Sequence, residues 1–138
     1  MSTKFNLKIT SKEASWGIFI MIDADSIITD LPYSLDTIRI SDEVYLHIDT
    51  NINLYEHELK LFVKAIMDNL NHILVYNRQG HRLIIKINNV IFPITDYQSE
   101  GFYYAMEGWL GLNFGFESKP VIYSFDKLQN KFIFEIPE

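Results

Sequence analysis

"EGFYYAMEGWLGLNFGF", residues 100–116, sets six aromatic side chains, four glycines and two glutamates into seventeen positions. On a helix, Gly101, Ala105, Gly108, Gly111 and Gly115 fall on one side at steps of four, three, three and four, a groove that lets another backbone approach closely. On a strand, Leu110, Leu112, Phe114 and Phe116 share one face, with Gly111, Asn113 and Gly115 on the other. Periodicity fits both readings, and helix energetics decides between them. Three glycines between positions 108 and 115 cost a helix roughly 2 to 3 kcal/mol against alanine. The expectation is therefore a short helix over about 98–108 followed by a strand over 109–116. Phe102, Met106 and the Leu and Phe residues of that strand are then core. The bare glycine face receives a neighbouring element or lines a cleft, with Glu107 and Trp109 as the polar and stacking groups of any pocket there.

Upstream lies the clearest helix. Tyr55, Leu59, Phe62, Val63, Ile66, Leu70 and Ile73 recur at steps of three and four, one apolar stripe on a helix over about 53–72. Asn53 is the expected cap and Glu56, three positions on, its reciprocal partner. Glu56 and Lys60 are spaced as a helical ion pair worth about 0.2 to 0.5 kcal/mol, so the stripe holds this helix in place.

Strands surround these helices. Phe5, Leu7 and Ile9 alternate with polar residues, as do Val44, Leu46 and Ile48, and Thr37–Ile40 precedes the latter as a shorter strand. Trp16–Ile22, apolar throughout, reads as a central strand buried on both faces. Arg82–Lys86 and Val90–Ile94 flank Asn88-Asn89, the composition of a two-residue hairpin loop, with Pro93 pushing the second strand to an edge. Val121–Phe125 and Phe132–Ile136 complete a C-terminal meander. The sum is an α+β fold with an antiparallel-rich sheet, and at 138 residues it is expected to form one domain spanning 1–138.

Composition excludes several chemistries. Without cysteine there is no disulfide, thiolate metal site or cysteine nucleophile, which suits a reducing cytoplasm. The longest apolar run, seven residues from Trp16, is far short of the roughly 20 that span a bilayer. "FIMIDADSII", residues 19–28, resembles the first motif of haloacid-dehalogenase-type phosphotransferases, which would make Asp23 the nucleophile and Asp25 the acid-base. The later Gly-Asp pair that would hold magnesium in that family is missing, and the two aspartates read instead as the end of a buried strand. Ile27 and Ile28 stand where a calcium loop needs an oxygen ligand and a glycine, and Leu61 where a zinc-protease helix needs its second histidine. Asp68 and His72 share a helix face but make only half a metal site. No cofactor is expected.

Charge is the strongest functional hint. The formal net charge is −6, yet residues 23–58 hold nine acids against Arg39 alone, a balance of −8 that leaves +2 for the remainder. Such a surface repels phosphate backbones and attracts basic proteins. The expectation is a small cytoplasmic binding protein without catalytic activity, an inhibitor or immunity-type protein that neutralises a basic toxin or nuclease. Its partner-binding residues would be Asp42, Glu43, Tyr45, Asp49, Tyr55, Glu56 and Glu58, with Tyr33 also in the region. Neither nucleic acid nor membrane is expected as a partner. The alternatives are a ligand-binding or enzymatic pocket beside residues 108–115, and a structural subunit of a homo-oligomer.

Overall fold

The computed structural model describes residues 2–30, 37–93 and 96–135. Tyr33, Asp36, Ile94 and Ile136 lie outside these. Five strands form one sheet in the order β1-β2-β5-β4-β3: β1 (Thr3–Ile9), β2 (Ile18–Thr29), β3 (Thr37–Arg39), β4 (Val44–Ile48) and β5 (Arg82–Ile91). Every pairing is antiparallel except β4 with β5. A parallel pair needs a crossover, and α1 (Glu56–Asp68) with α2 (Leu70–Leu74) supplies it. A third helix, α3 (Gly101–Phe114), follows β5, and a two-stranded hairpin of β6 (Tyr123–Asp126) and β7 (Lys131–Phe134) closes the described chain.

Register explains which side chains are core. Leu7 pairs with Ile20, Ile9 with Ile18, and Ala24 with Ile87, so these residues share one face, joined from β4 by Val44 and Leu46. That face packs with Phe62, Ala65 and Ile66 of α1 and with most of α3 in one contiguous core. Along β2 the odd positions Phe19, Met21, Asp23 and Asp25 stand on the opposite face, and Phe19 is 40% exposed. The expectation that Trp16–Ile22 is buried on both faces is therefore corrected: Ile18, Ile20 and Ile22 are buried, and the residues between them are not. The strand also runs on through Asp23 and Asp25 to Thr29 instead of ending at them. No helix among the described residues is long and apolar enough to cross a membrane.

Three more local expectations change. Asn88-Asn89 is not a hairpin loop, since β5 runs continuously past it. Asp23 faces Asn89 while Ala24 faces Ile87, so Asn88 is the extra residue of a β-bulge. The long helix starts at Glu56, after Tyr55, and breaks at Asn69, whose side-chain amide donates back to the Ala65 carbonyl at 2.7 Å and competes with the helix ladder. Among the described residues the C-terminal strands make a two-stranded hairpin. It is held down by Phe132, fully buried and edge-on to Trp16, and by Gln98, whose side chain bonds both the N–H of Phe132 (2.9 Å) and its carbonyl (2.5 Å) as a strand would.

The opening stretch is the largest correction. Residues 109–116 do not form a strand; α3 continues unbroken to Phe114 and stops at Gly115, whose left-handed conformation (φ 72°) suits glycine. The glycines inside it are places of contact. A methyl group on Gly101 would meet Ile20 Cδ1 at 2.8 Å and Ile18 Cγ2 at 2.9 Å, and one on Gly111 would meet the Phe116 carbonyl oxygen at 2.8 Å. One on Gly108 would enter the Phe5 ring. The helix lies so close to the sheet that every residue from Gly101 to Gly111 is buried. Burying Trp109, Leu110 and Phe102, at about 1.5 to 3 kcal/mol each, outweighs the propensity cost of the glycines.

Gly108→Ala is therefore expected not to stabilise the protein but to cost about 0 to 2 kcal/mol, because overpacking against Phe5 costs about 1 to 3 kcal/mol and the better helix propensity returns only about 1. Combined with Phe5→Leu, it is expected to cost clearly less than the sum of the two single changes in urea unfolding. Strict additivity would show that the ring does not set the approach.

Candidate functional site

The seven acidic-segment residues separate into exposed and buried groups. Asp42, in the turn before β4, is exposed and paired with Arg39. Glu43 beside it accepts from Asn77 Nδ2 at 3.2 Å, and its carbonyl accepts from the N–H of Leu83 at 2.7 Å. Tyr45 is buried at 4% exposure, its hydroxyl on the Asp42 carbonyl at 3.3 Å, so it supports the turn from inside. At the far end of β4, Asp49 accepts from the N–H of Asn51 at 3.2 Å and folds the chain towards α1. Tyr55 is 72% exposed and stacks on His57 at 5.8 Å, and Glu56 is exposed and 3.4 Å from Lys60. Glu58 is 2% exposed and faces inwards.

Glu58 organises the beginning of α1. Its Oε1 accepts from the Tyr55 N–H at 2.8 Å, closing the first turn; this is the role sequence spacing assigns to Glu56 with Asn53, displaced by two residues. Its Oε2 accepts from the hydroxyl of Tyr97, in the connection between β5 and α3. Burial, and then this carboxylate, pushes the Tyr97 phenol well above its ordinary range. Asn53, Leu54, Tyr55, Glu58, Phe92 and Tyr97 line a cleft of about 330 Å³, apolar except for the carboxylate and a few backbone and amide groups. The aromatic wall is backed by the core: Tyr97 and Phe92 lie 5.4 Å apart, and both contact the buried ring of Phe102.

A second polar cluster joins the helices. Tyr103 donates to Asp68 Oδ2 at 2.7 Å, Lys64 bonds the same oxygen at 2.8 Å, and Asn69 Nδ2 reaches Glu107 Oε2 at 3.4 Å. Burial raises the Asp68 pKa, but the hydrogen bonds from Lys64 and Tyr103 outweigh it and hold the carboxyl below its ordinary value. The Tyr103 phenol is driven up by burial first, then by its bond to Asp68 and the charge of Glu107. Glu107 is buried at 5% exposure, and Trp109 is fully buried with its Nε1 donating to the Thr3 carbonyl at 2.9 Å. With Phe5 against Gly108 and the Phe116 carbonyl against Gly111, the glycine face is occupied by the chain itself.

The remaining motif residues are spread out. Asp25 accepts from Asn88 Nδ2 at 2.9 Å beside the bulge, on the sheet face away from the helices. His72 stacks on Phe116 at 4.2 Å, and Asp68 is engaged by Lys64 and Tyr103. Among the described residues no three His, Asp or Glu side chains are grouped to hold a metal ion.

Sequence spacing carried a signal for Glu58 that the apolar stripe obscured. Positions 58, 62, 65, 66, 69 and 73 are the buried ones, and they too recur at steps of three and four. A glutamate and an asparagine on that series mark buried polar groups in need of partners. Tyr97, by contrast, sits in a connection without periodicity, and only the fold brings it to Glu58.

The fold is α+β, with its helices against one face of a mixed sheet. No protein-family model matches the chain, and neither a characterised protein nor a solved structure is detectably similar to it.

Proposed function

We propose that the protein is a non-catalytic binding module whose acidic segment between the end of β4 and the first turn of α1 takes a basic protein, as an inhibitor of a basic toxin or nuclease does. The observation that carries this reading is Tyr55: a large aromatic ring, 72% exposed, next in the chain to the exposed Glu56. Aromatic anchors of this kind concentrate binding energy, and the surrounding acids supply steering. Asp49, Tyr55 and Glu56 are the residues a partner touches there, with Glu58 acting from inside, while Asp42, Glu43 and Tyr45 stand towards the other end of β4. The ion pair of Glu56 with Lys60 does not oppose this role. Exposed pairs are worth about 0 to 1 kcal/mol, so a partner's cations replace the internal ones at small cost.

The test is the native mass of the tagged protein from its own source lysate, at low salt and at about 0.5 M salt, where charges are screened beyond a few ångströms. A basic protein bound at low salt and weakened at high salt is expected. Asp49→Lys with Glu56→Lys should lower its association rate about tenfold or more, with a smaller effect on dissociation. An association indifferent to salt and to both reversals, or a lone chain in both buffers, would defeat the reading.

A further inference from the structure

We propose that the cleft at the start of α1 is an arginine-binding site: it receives an arginine side chain of the partner, the guanidinium on Glu58 and the methylene stem against Leu54 and Phe92. The inference rests on the basic-partner reading and adds to it the chemistry of the anchor.

Three features point to this occupant. First, Glu58 is nearly fully buried and lines the cleft, yet among the described residues it has no cationic partner; Lys60, the nearest lysine along the helix, pairs with Glu56. Its two hydrogen bonds, from Tyr55 N–H and Tyr97 Oη, use one lone pair on each oxygen and leave the others open. A buried carboxylate held by neutral donors alone gains strongly from a cation in good geometry. Second, the walls are apolar and aromatic, the surroundings in which a guanidinium stem packs and its plane stacks on a ring. Arginine suits this better than lysine, because its planar fork reaches both open lone pairs and is more weakly hydrated. Third, a volume of about 330 Å³ is at the lower end for ligand pockets, enough for one long side chain.

The two contacts already made by Glu58 position it for this role. The Tyr55 N–H holds one carboxylate oxygen at the first turn of α1, and the Tyr97 hydroxyl holds the other from across the cleft. Tyr55 itself, at the exposed rim, can then cover the seated side chain.

The experiment is an NMR titration of the intact protein with N-acetyl-arginine methylamide, using the citrulline, lysine and norleucine counterparts as controls. The arginine probe should shift the signals of Leu54, Phe92 and Tyr97 with a dissociation constant in the millimolar range, as fits one isolated side chain. Citrulline, equal in shape but uncharged, should bind about tenfold weaker or worse. Glu58→Gln should abolish the preference for arginine over citrulline. Leu54→Ala, which shortens the apolar wall and leaves the carboxylate in place, should weaken both probes and keep the preference for arginine; this variant and the uncharged probe decide the matter even if Glu58→Gln does not fold. Equal shifts from citrulline or norleucine, or no shifts at these residues from the arginine probe, would overturn the arginine site. Neither outcome touches the salt-sensitive capture of a basic partner, which stands or falls on the lysate measurement. Arginine binding without any such partner would instead overturn the wider reading and leave a small cation site.

Discussion

Between pH 10 and pH 12 the protein is expected to lose stability steeply and unfold in one step. Tyr104 is pushed up to about 12, by burial first and then by the charges of Glu107, Glu100 and Glu135. Burial drives Tyr97 and Tyr103 beyond that, reinforced by their hydrogen bonds to Glu58 and Asp68. In the unfolded chain these phenols ionise near 10, so between the two values the folded state holds protons that the unfolded state has released. Stability then falls as pH rises, at about 1.4 kcal/mol per pH unit for each such group. Three groups acting together approach about 4 kcal/mol per unit, against a total stability of about 5 to 15 kcal/mol for a domain. Tyrosinate absorbance and far-ultraviolet circular dichroism, followed together, should show a shared midpoint in this window. Tyr103→Phe removes one of the three and should make the alkaline limb shallower. Phenol ionisation spread smoothly around pH 10 with the helical signal intact would mean that these rings are not held as described.

The same three tyrosines show how much was legible in the sequence. The α+β class, the amphipathic helix after β4 and the strand at 3–9 follow from periodicity, because helix and strand each have one wetter and one drier face; the strand at 44–48 lies where the pattern places it, but it buries Tyr45 beside Val44 and Leu46 instead of alternating. Periodicity fails where an element is buried all round. In α3 every position from Gly101 to Gly111 is covered, so neither period stands out and the glycine penalty decides the reading wrongly. What overturns it is long-range: Phe5 of β1 lies about a hundred residues from Gly108, and Ile18 and Ile20 of β2 about eighty from Gly101, and their approach turns these two glycines from breakers into fits. Asn88-Asn89 fails for a related reason, since a bulge and a turn use the same residues and only pairing with β2 separates them. The candidate site was half legible. Its exposed acids could be read from charge alone, but the inward turn of Glu58 and its meeting with Tyr97 depend on how the β5–α3 connection crosses the start of α1.

Trp109→Ala is expected to cost about 3 to 5 kcal/mol, the range for removing a large aromatic from a packed core, and to leave much of the chain unfolded at body temperature. Trp109 is fully buried, meets Phe114 edge-on at 6.1 Å, and donates its indole N–H to the Thr3 carbonyl at 2.9 Å, tying the middle of α3 to the start of β1. Trp109→Phe separates the two contributions. It keeps most of the ring contacts but leaves the Thr3 carbonyl without its donor, which costs about 1 to 3 kcal/mol, so its urea midpoint should fall between those of the parent and the alanine variant. The folded fraction of either variant should still show the arginine-induced shifts at Leu54, Phe92 and Tyr97, because Trp109 contacts β1 and does not line that cleft. If instead both substitutions were nearly neutral for stability, Trp109 would be doing something other than packing, and the opening stretch would have to be read again as the wall of a site. A stability loss with unchanged arginine shifts separates the two parts of the molecule: α3 on the sheet holds the fold, and the start of α1 is free to bind.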